Sequence, residues 1–75
     1  MLREVGVLIR QARSGKLIVR LKGDAKAGEV LFDSDGRAVG KVTEVFGPIR
    51  SPYASLEPLT DKVARVIGEK VYLKN

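Results

Sequence analysis

The sequence predicts an all-β protein, folded as a small closed barrel of six strands. Short apolar runs with the period-two alternation typical of strands recur along the whole chain. Turn sequences that contain glycine separate these runs. At 75 residues the chain is expected to form a single β-barrel domain over residues 1–75, with a thin apolar core. Closure of so small a sheet would remove its exposed edges.

The first two strands, at residues 4–10 and 17–22, are predicted to form a hairpin. Every second residue in each run is apolar, and the Ser-Gly pair at 14–15 is typical of a tight turn. With strict alternation, the residues that point into the barrel are Val5, Val7, Ile9, Leu17 and Val19. Leu8 and Ile18 would then point outward, and exposed apolar side chains on a small barrel indicate contact with a partner.

A second hairpin is predicted around residues 33–36, because the sequence Asp-Ser-Asp-Gly favours a tight turn. It joins the short apolar run 30–32 to a longer run, residues 38–46. In this longer run valine recurs every three residues, so a helix is the rival interpretation. Several residues in the run have poor helix propensity, which favours a long strand that bends or bulges near Gly40.

Two further strands are predicted at residues 53–57 and 70–74. The Gly-Pro pair at 47–48 ends the long preceding strand. Between the last two strands, residues 60–67 place apolar side chains on one helical face, so at most a short helical turn is expected there. Gly68 ends this element.

The residue inventory excludes most enzyme chemistry. The chain has no cysteine and no histidine, which removes thiolate nucleophiles, imidazole bases and the usual zinc ligands. Asp33 and Asp35 are explained better by turn formation than by cation binding, and Glu44 and Glu57 are expected to meet lysines rather than a substrate. No phosphate-binding glycine motif is present. We therefore predict a protein that is not an enzyme and has no cofactor, metal site or small-molecule substrate.

Hydropathy and charge indicate the environment of the protein and its class of partner. No apolar run approaches the ~20 residues of a membrane span, and no signal peptide is recognised, so we expect a soluble, cytoplasmic protein without membrane contact. The net charge is +5, and residues 1–22 have six basic side chains and one acidic one. Either a solubilising surface or a nucleic-acid contact explains this excess. Phe32 and Phe46 are expected to be buried, which leaves a poor stacking platform for RNA bases.

The segment 39–56 is the most informative part of the chain. Two prolines, Pro48 and Pro52, reduce the entropy cost of holding the loop after Gly47 in one shape. The apolar side chains around the loop are Phe46, Ile49 and Tyr53. They would form an exposed patch that anchors a protein interface. Alternatively, Phe46 and Tyr53 would plug the end of the barrel as part of its core.

Residues 40–53 have the pattern G-K-V-x-E-V-F-G-P-I-R-x-P-Y. This stretch closely resembles the glycine/arginine-rich subunit family of H/ACA ribonucleoproteins. The similarity extends more loosely over the whole chain, through residues 5–7, residues 30–32 and the closing Gly-x-x-Val-Tyr pattern at 68–72. It is closest to the bare archaeal form, because the glycine/arginine-rich tails of eukaryotic members are absent.

The resemblance implies a six-stranded barrel of the type also found in translation-factor second domains. It also implies a non-catalytic subunit that binds the pseudouridine synthase catalytic subunit, with guide RNA and substrate rRNA reached only indirectly, through the complex. The family's motif then assigns synthase contact to Phe46, Gly47, Pro48, Ile49, Arg50, Pro52 and Tyr53. Gly47 and Pro48 would shape the loop, while Arg50 would reach an acidic group. The alternative, from the basic excess, is a freestanding RNA-binding β-barrel.

Overall fold

The computed structural model describes residues 1–74 and confirms the predicted six-stranded all-β barrel. Its elements, in chain order, are β1 (Leu2–Gln11), β2 (Leu17–Leu21), β3 (Val30–Phe32), β4 (Ala38–Phe46), β5 (Tyr53–Pro58), α1 (Val63–Val66) and β6 (Lys70–Lys74). The strands form a closed barrel in the order β1-β2-β5-β4-β3-β6, and every pairing is antiparallel. The short helix lies inside the predicted interval 60–67. Within residues 1–74 there is no helix long and apolar enough to cross a membrane.

The interior of the barrel is lined by apolar side chains from all six strands and from α1. In β2 the predicted alternation is confirmed, because Leu17, Val19 and Leu21 are buried while Arg20 between them is exposed. The remaining core residues are Val5, Leu8, Leu31, Val39, Val42, Ala54, Leu56, Val66, Val71 and Leu73. So small a core leaves each of these side chains with a large share of the stability.

In β1 the predicted alternation holds at Val5, which is buried, and is wrong further along the strand. Leu8, which was expected to point outward, is fully buried, whereas Ile9, which was expected to point inward, is 37% exposed. The cause is an irregular register: against β6, Glu4 and Gly6 pair with consecutive residues of the partner strand, which leaves Val5 as an extra residue. Against β2, Ile9 is extra in the same way. Each extra residue moves the following side chains to the opposite face of the strand.

Gly6 lies between these two bulges, where β1 and β2 approach closely. A β-carbon at this position would collide with the backbone carbonyl of Arg20 on β2. Just beyond the end of β2, the amides of Lys22 and Gly23 both donate to the carbonyl of Val5, at 2.8 and 3.2 Å. Only glycine therefore permits the close contact between strands that the bulged β1 requires.

The predicted irregularity near Gly40 is confirmed, and β4 is a strand rather than a helix. Gly40 pairs with Leu31 of β3 while Ala38 pairs with the next residue of that strand, so Val39 is extra. A second shift, in the pairing with β5, leaves Thr43 extra. These two bulges explain the three-residue spacing of valine, because they break the period of two expected for a regular strand.

Glu4 links β1 to both of its neighbours. Its carboxylate lies 2.6 Å from the ammonium of Lys22, after β2, and 3.7 Å from that of Lys70 on β6. The hydrogen bond from Lys22, together with the positive charges of both lysines, holds the pKa of the Glu4 carboxyl below its usual value. These two lysines are thus partly neutralised within the fold.

Candidate functional site

The loop 47–52 between β4 and β5 has a shape set mainly by its backbone. The amide of Ser51 donates to the carbonyl of Pro48 at 3.2 Å, which closes a turn around Ile49 and Arg50. The carbonyl of Pro52 accepts a hydrogen bond from the amide of Leu21 at 2.9 Å, which fastens the loop to the end of β2. With proline at two of its positions, the loop is ordered before any partner binds.

Gly47 allows the ring of Tyr53 to pack against the start of this loop. Its φ angle is +93°, a conformation that residues with a side chain rarely adopt. A β-carbon there would also lie 3.1 Å from Cδ2 of Tyr53. The Gly-Pro sequence therefore both turns the chain and makes room for an aromatic ring.

Phe46 and Tyr53 form an aromatic pair on the outer face of the barrel. They pair across β4 and β5, and their rings stack with centroids 5.9 Å apart and planes inclined by 29°. Tyr53 is half-buried and Phe46 is 42% exposed. The interpretation of these rings as a core plug is wrong, as is the expected burial of Phe46. The reason is the period of two: Ala54 points inward with 0% exposure, so its neighbour Tyr53 faces outward.

The aromatic pair forms one wall of a shallow groove of about 270 Å³. The residues that line it are Ile9, Arg10, Ile18, Phe46 and Tyr53. Ile9 comes from β1 and Ile18 from β2. Because β2 lies beside β5 in the barrel, these two isoleucines lie close to the aromatic rings. We call these five residues the apolar groove.

The sequence indicates three of the five groove residues as surface candidates, namely Ile18, Phe46 and Tyr53. Ile18 faces outward as predicted, but nothing in the sequence places it beside Tyr53, and Ile9 was assigned to the core. The period-two pattern of β2 indicates Ile18, since it leaves both Ile18 and Arg20 on the outer face, and the segment 39–56 indicates Phe46 and Tyr53.

The remaining residues of the predicted site lie at the tip of the loop. Pro48, Ile49 and Arg50 are exposed, and Ile49 is 98% exposed. Pro52 is half-buried at the base of the loop. The structure thus brings Phe46 and Tyr53 together in the groove, with Gly47 packed against the Tyr53 ring, and leaves the other members in the loop that follows.

Two arginines lie at or beside the apolar groove. Arg10 lines it, and Arg20 pairs directly with Tyr53 across β2 and β5. Both are exposed, as is Arg50 in the loop. The ion pairs within residues 1–74 are Lys16–Glu57, Lys22–Glu4 and Lys70–Glu4, so none involves these arginines. Part of the positive excess of residues 1–22 therefore lies beside the groove.

The acidic residues considered for chemistry have structural roles. The Asp33 carboxylate accepts the amide hydrogens of Asp35 and Arg37 at 2.9 and 3.0 Å, as expected for a turn. Glu57 lies opposite Lys41 and forms an ion pair with Lys16 at 3.3 Å, as predicted. Glu44 lies opposite Ser55, so the two glutamates do not face each other. The expectation that Glu44 meets a lysine is wrong, because none of the ion pairs within residues 1–74 includes it. Residues 1–74 contain no group of three or more acidic side chains placed to hold a metal ion.

A second groove, of about 500 Å³, lies between the β3–β4 turn and the segment from α1 to β6. Its charged lining residues are Asp33, Asp35, Arg37, Lys62, Arg65, Glu69 and Lys70. Because both signs are mixed along its walls, this groove does not favour a ligand of either charge.

Comparison with known proteins supports one family. The model of the family described as "Gar1/Naf1 RNA binding region" matches residues 2–75. An uncharacterised protein of Methanothermobacter thermautotrophicus is 32% identical over 76 residues, covering 96% of this chain and 83% of the relative. One from Methanocaldococcus jannaschii is 29% identical over 68 residues, with coverages of 91% and 80%.

Among solved structures, the fold is similar to that of the Gar1 domain of NAf1. The TM-score is 0.77 at 24% sequence identity, and the match covers 97% of this chain and 83% of the other. At this level of identity the likeness concerns the fold, and it agrees with the barrel described above.

Proposed function

Because this chain belongs to the Gar1/Naf1 family, whose RNA-binding region matches residues 2–75, we propose that it is a non-catalytic accessory subunit of the H/ACA guide-RNA pseudouridylation complex. In this role it binds the pseudouridine synthase catalytic subunit directly and reaches guide RNA and substrate rRNA through the complex. It promotes substrate loading and product release, and so contributes to rRNA modification and ribosome biogenesis.

The observation that supports this proposal most is the exposed apolar surface at the loop 47–52. Ile49 in this loop is nearly fully exposed, and the partly exposed Phe46 just before the loop lines the apolar groove. Contiguous exposed apolar patches on small proteins commonly mark sites of contact with a partner. Aromatic side chains in a preordered setting are also the usual centres of protein interfaces. The contact residues we propose are the seven of the sequence motif, from Phe46 to Tyr53 without Ser51.

The residue inventory supports a non-catalytic role. Without histidine or cysteine, the available acids and bases are carboxylates and lysines, and several of these are engaged in turns and ion pairs. The chemistry of uridine isomerisation therefore belongs to the partner.

A pull-down from cell extract tests the proposed partner. We expect a tagged form of this chain to recover a pseudouridine synthase even after RNase treatment, because the contact is between proteins. A variant that lacks residues 48–51 provides a control for the loop. Recovery of the synthase only when RNA is intact would contradict the proposal, since RNA would then bridge the two proteins.

RNA binding by the isolated protein separates the accessory-subunit proposal from the alternative function, a freestanding RNA-binding barrel. One observation favours it: the stacked Phe46–Tyr53 pair is accessible and lies beside Arg20, an arrangement on which a base could stack. Under the accessory-subunit proposal, the isolated protein binds RNA weakly and loses this binding as salt increases, because diffuse charge attracts phosphate without reading bases. Tight, sequence-selective capture of guide RNA at physiological salt would favour the alternative.

Addition of this protein to a reconstituted complex of synthase and guide RNA is expected to raise the multiple-turnover rate more than the single-turnover rate. The protein supplies no acid, base or nucleophile, so its effect falls on loading and release rather than on bond making. Rapid-quench assays with enzyme in excess and with substrate in excess measure the two rates. Equal acceleration of both would contradict a role in release and indicate assembly of the active site instead.

A further inference from the structure

The apolar groove has positive charge along its edge, and this charge specifies the chemistry of what binds there. We propose that the groove receives an apolar side chain from the synthase that is flanked by carboxylates, and that these carboxylates pair with Arg10 and Arg20. This inference rests on the proposed function and extends the contact surface from the loop 47–52 to β1 and β2.

The register of the strands places both arginines at the groove. Arg10 is directly opposite Ile18 on β2, and Arg20 is two residues further along that strand, on the same outward face. Successive outward positions on a strand are ~7 Å apart. Tyr53 lies beside Arg20 on β5. Arg10 and Arg20 are therefore both neighbours of Ile18, one across the strand pair and one along the strand.

No acidic residue of the described chain neutralises these two arginines. Neither takes part in an ion pair within residues 1–74. Arg10 pairs with Ile18, Ile18 with Ser55, and Ser55 with Glu44, so these four residues form one row across four strands. Glu44 is the acidic residue of this row. Three interstrand steps of ~4.8 Å separate the backbone of Glu44 from that of Arg10, and the two side chains form no ion pair. The arginines thus remain available to a partner.

The shape of the surface argues for a protein side chain as the occupant. The barrel closes on itself, and β2 and β5 are each paired on both sides, so a partner cannot extend the sheet there and must contact side chains. The groove is shallow and open, whereas small-molecule sites are usually concave clefts that bury most of their ligand. Guanidinium groups match the planar, bidentate geometry of carboxylates. An apolar side chain between acidic neighbours meets all of these conditions.

A charge-reversal experiment tests this inference on the full chain and the purified synthase. The test variant is Arg10→Glu with Arg20→Glu. The matched control is Arg37→Glu with Arg65→Glu, which changes the net charge by the same amount but lies in the second groove. Circular dichroism melts check that both variants fold, and the neutral variant Arg10→Gln with Arg20→Gln provides a milder replacement.

We expect the test variant to raise the Kd for the synthase by at least ~30-fold at low salt, mainly through slower association, because reversed charges would repel acidic partner groups. The control should stay within about threefold of the wild type. The neutral variant should show a smaller loss of the same sign. Raising the salt to about 0.5 M should reduce the difference between test and control variants, since surface charges are then screened.

The failure of this inference is distinguishable from the failure of the proposed function. If the test variant binds as the control does while changes in the loop 47–52 abolish binding, the arginines do not contact carboxylates and the proposed function stands. If the wild-type protein does not bind the synthase at all, the proposed function is wrong and the inference is overturned with it.

Discussion

Leu8→Ala is expected to lower the free energy of unfolding by about 2–5 kcal/mol, because it truncates a side chain with no exposure to solvent and leaves a cavity in the core. Ile9→Ala, one residue further, is expected to cost about 1 kcal/mol or less, since Ile9 faces the outer groove. Domains of this kind have total stabilities of only ~5–15 kcal/mol. The first substitution therefore removes a large fraction of the stability. Urea denaturation followed by circular dichroism measures both values.

The order of these two losses tests the bulges in β1. The variant Leu8→Met serves as the control, because a volume-conserving change of a core residue costs less than ~1.5 kcal/mol. If Ile9→Ala proved more damaging than Leu8→Ala, β1 would follow the simple alternation of its sequence, and Ile9 would not belong to the outer surface.

The double variant Pro48→Ala with Tyr53→Ala is expected to weaken binding to the synthase by more than ~10-fold while the barrel remains folded. Removal of an aromatic anchor at the centre of an interface commonly costs ~2 kcal/mol or more. Loss of Pro48 increases the conformational entropy of the unbound loop, and binding must then remove this entropy. Titration calorimetry gives the affinity, and a thermal melt of the same sample reports on folding.

Tyr53→Phe is the matched control for this variant. It keeps the ring that stacks on Phe46 and removes only the hydroxyl group, so near-normal binding is expected. A double variant that unfolds would mean that Tyr53 supports the core despite its outward position. One that folds and binds normally would exclude the loop from the interface.

Local sequence alone determined the inventory of strands and turns in this protein. Each hairpin turn is encoded by neighbouring residues: the Asp33 carboxylate, for example, bonds to amides only two and four residues away. The sheet-forming character of residues 38–46 and the irregularity near Gly40 were also readable, because propensity and glycine placement are local properties. The motif at residues 40–53 likewise identified the family without knowledge of the fold.

Only the tertiary structure decided which residues of β1 face the core. The two bulges exist because β1 pairs with β2 on one side and with β6 on the other, and the shift in register occurs at a different residue in each pairing. The sequence of β1 is apolar at both odd and even positions, so either phase was compatible with it.

The groove, likewise, is a product of strand order. Ile18 and Tyr53 are far apart in the chain and meet because β2 pairs with β5 rather than with the next strand along the chain. Pattern in the sequence reports which face of a strand is apolar, since that depends on neighbours two residues away. It does not report which strands become neighbours, because that choice depends on how the whole barrel closes around a shared core.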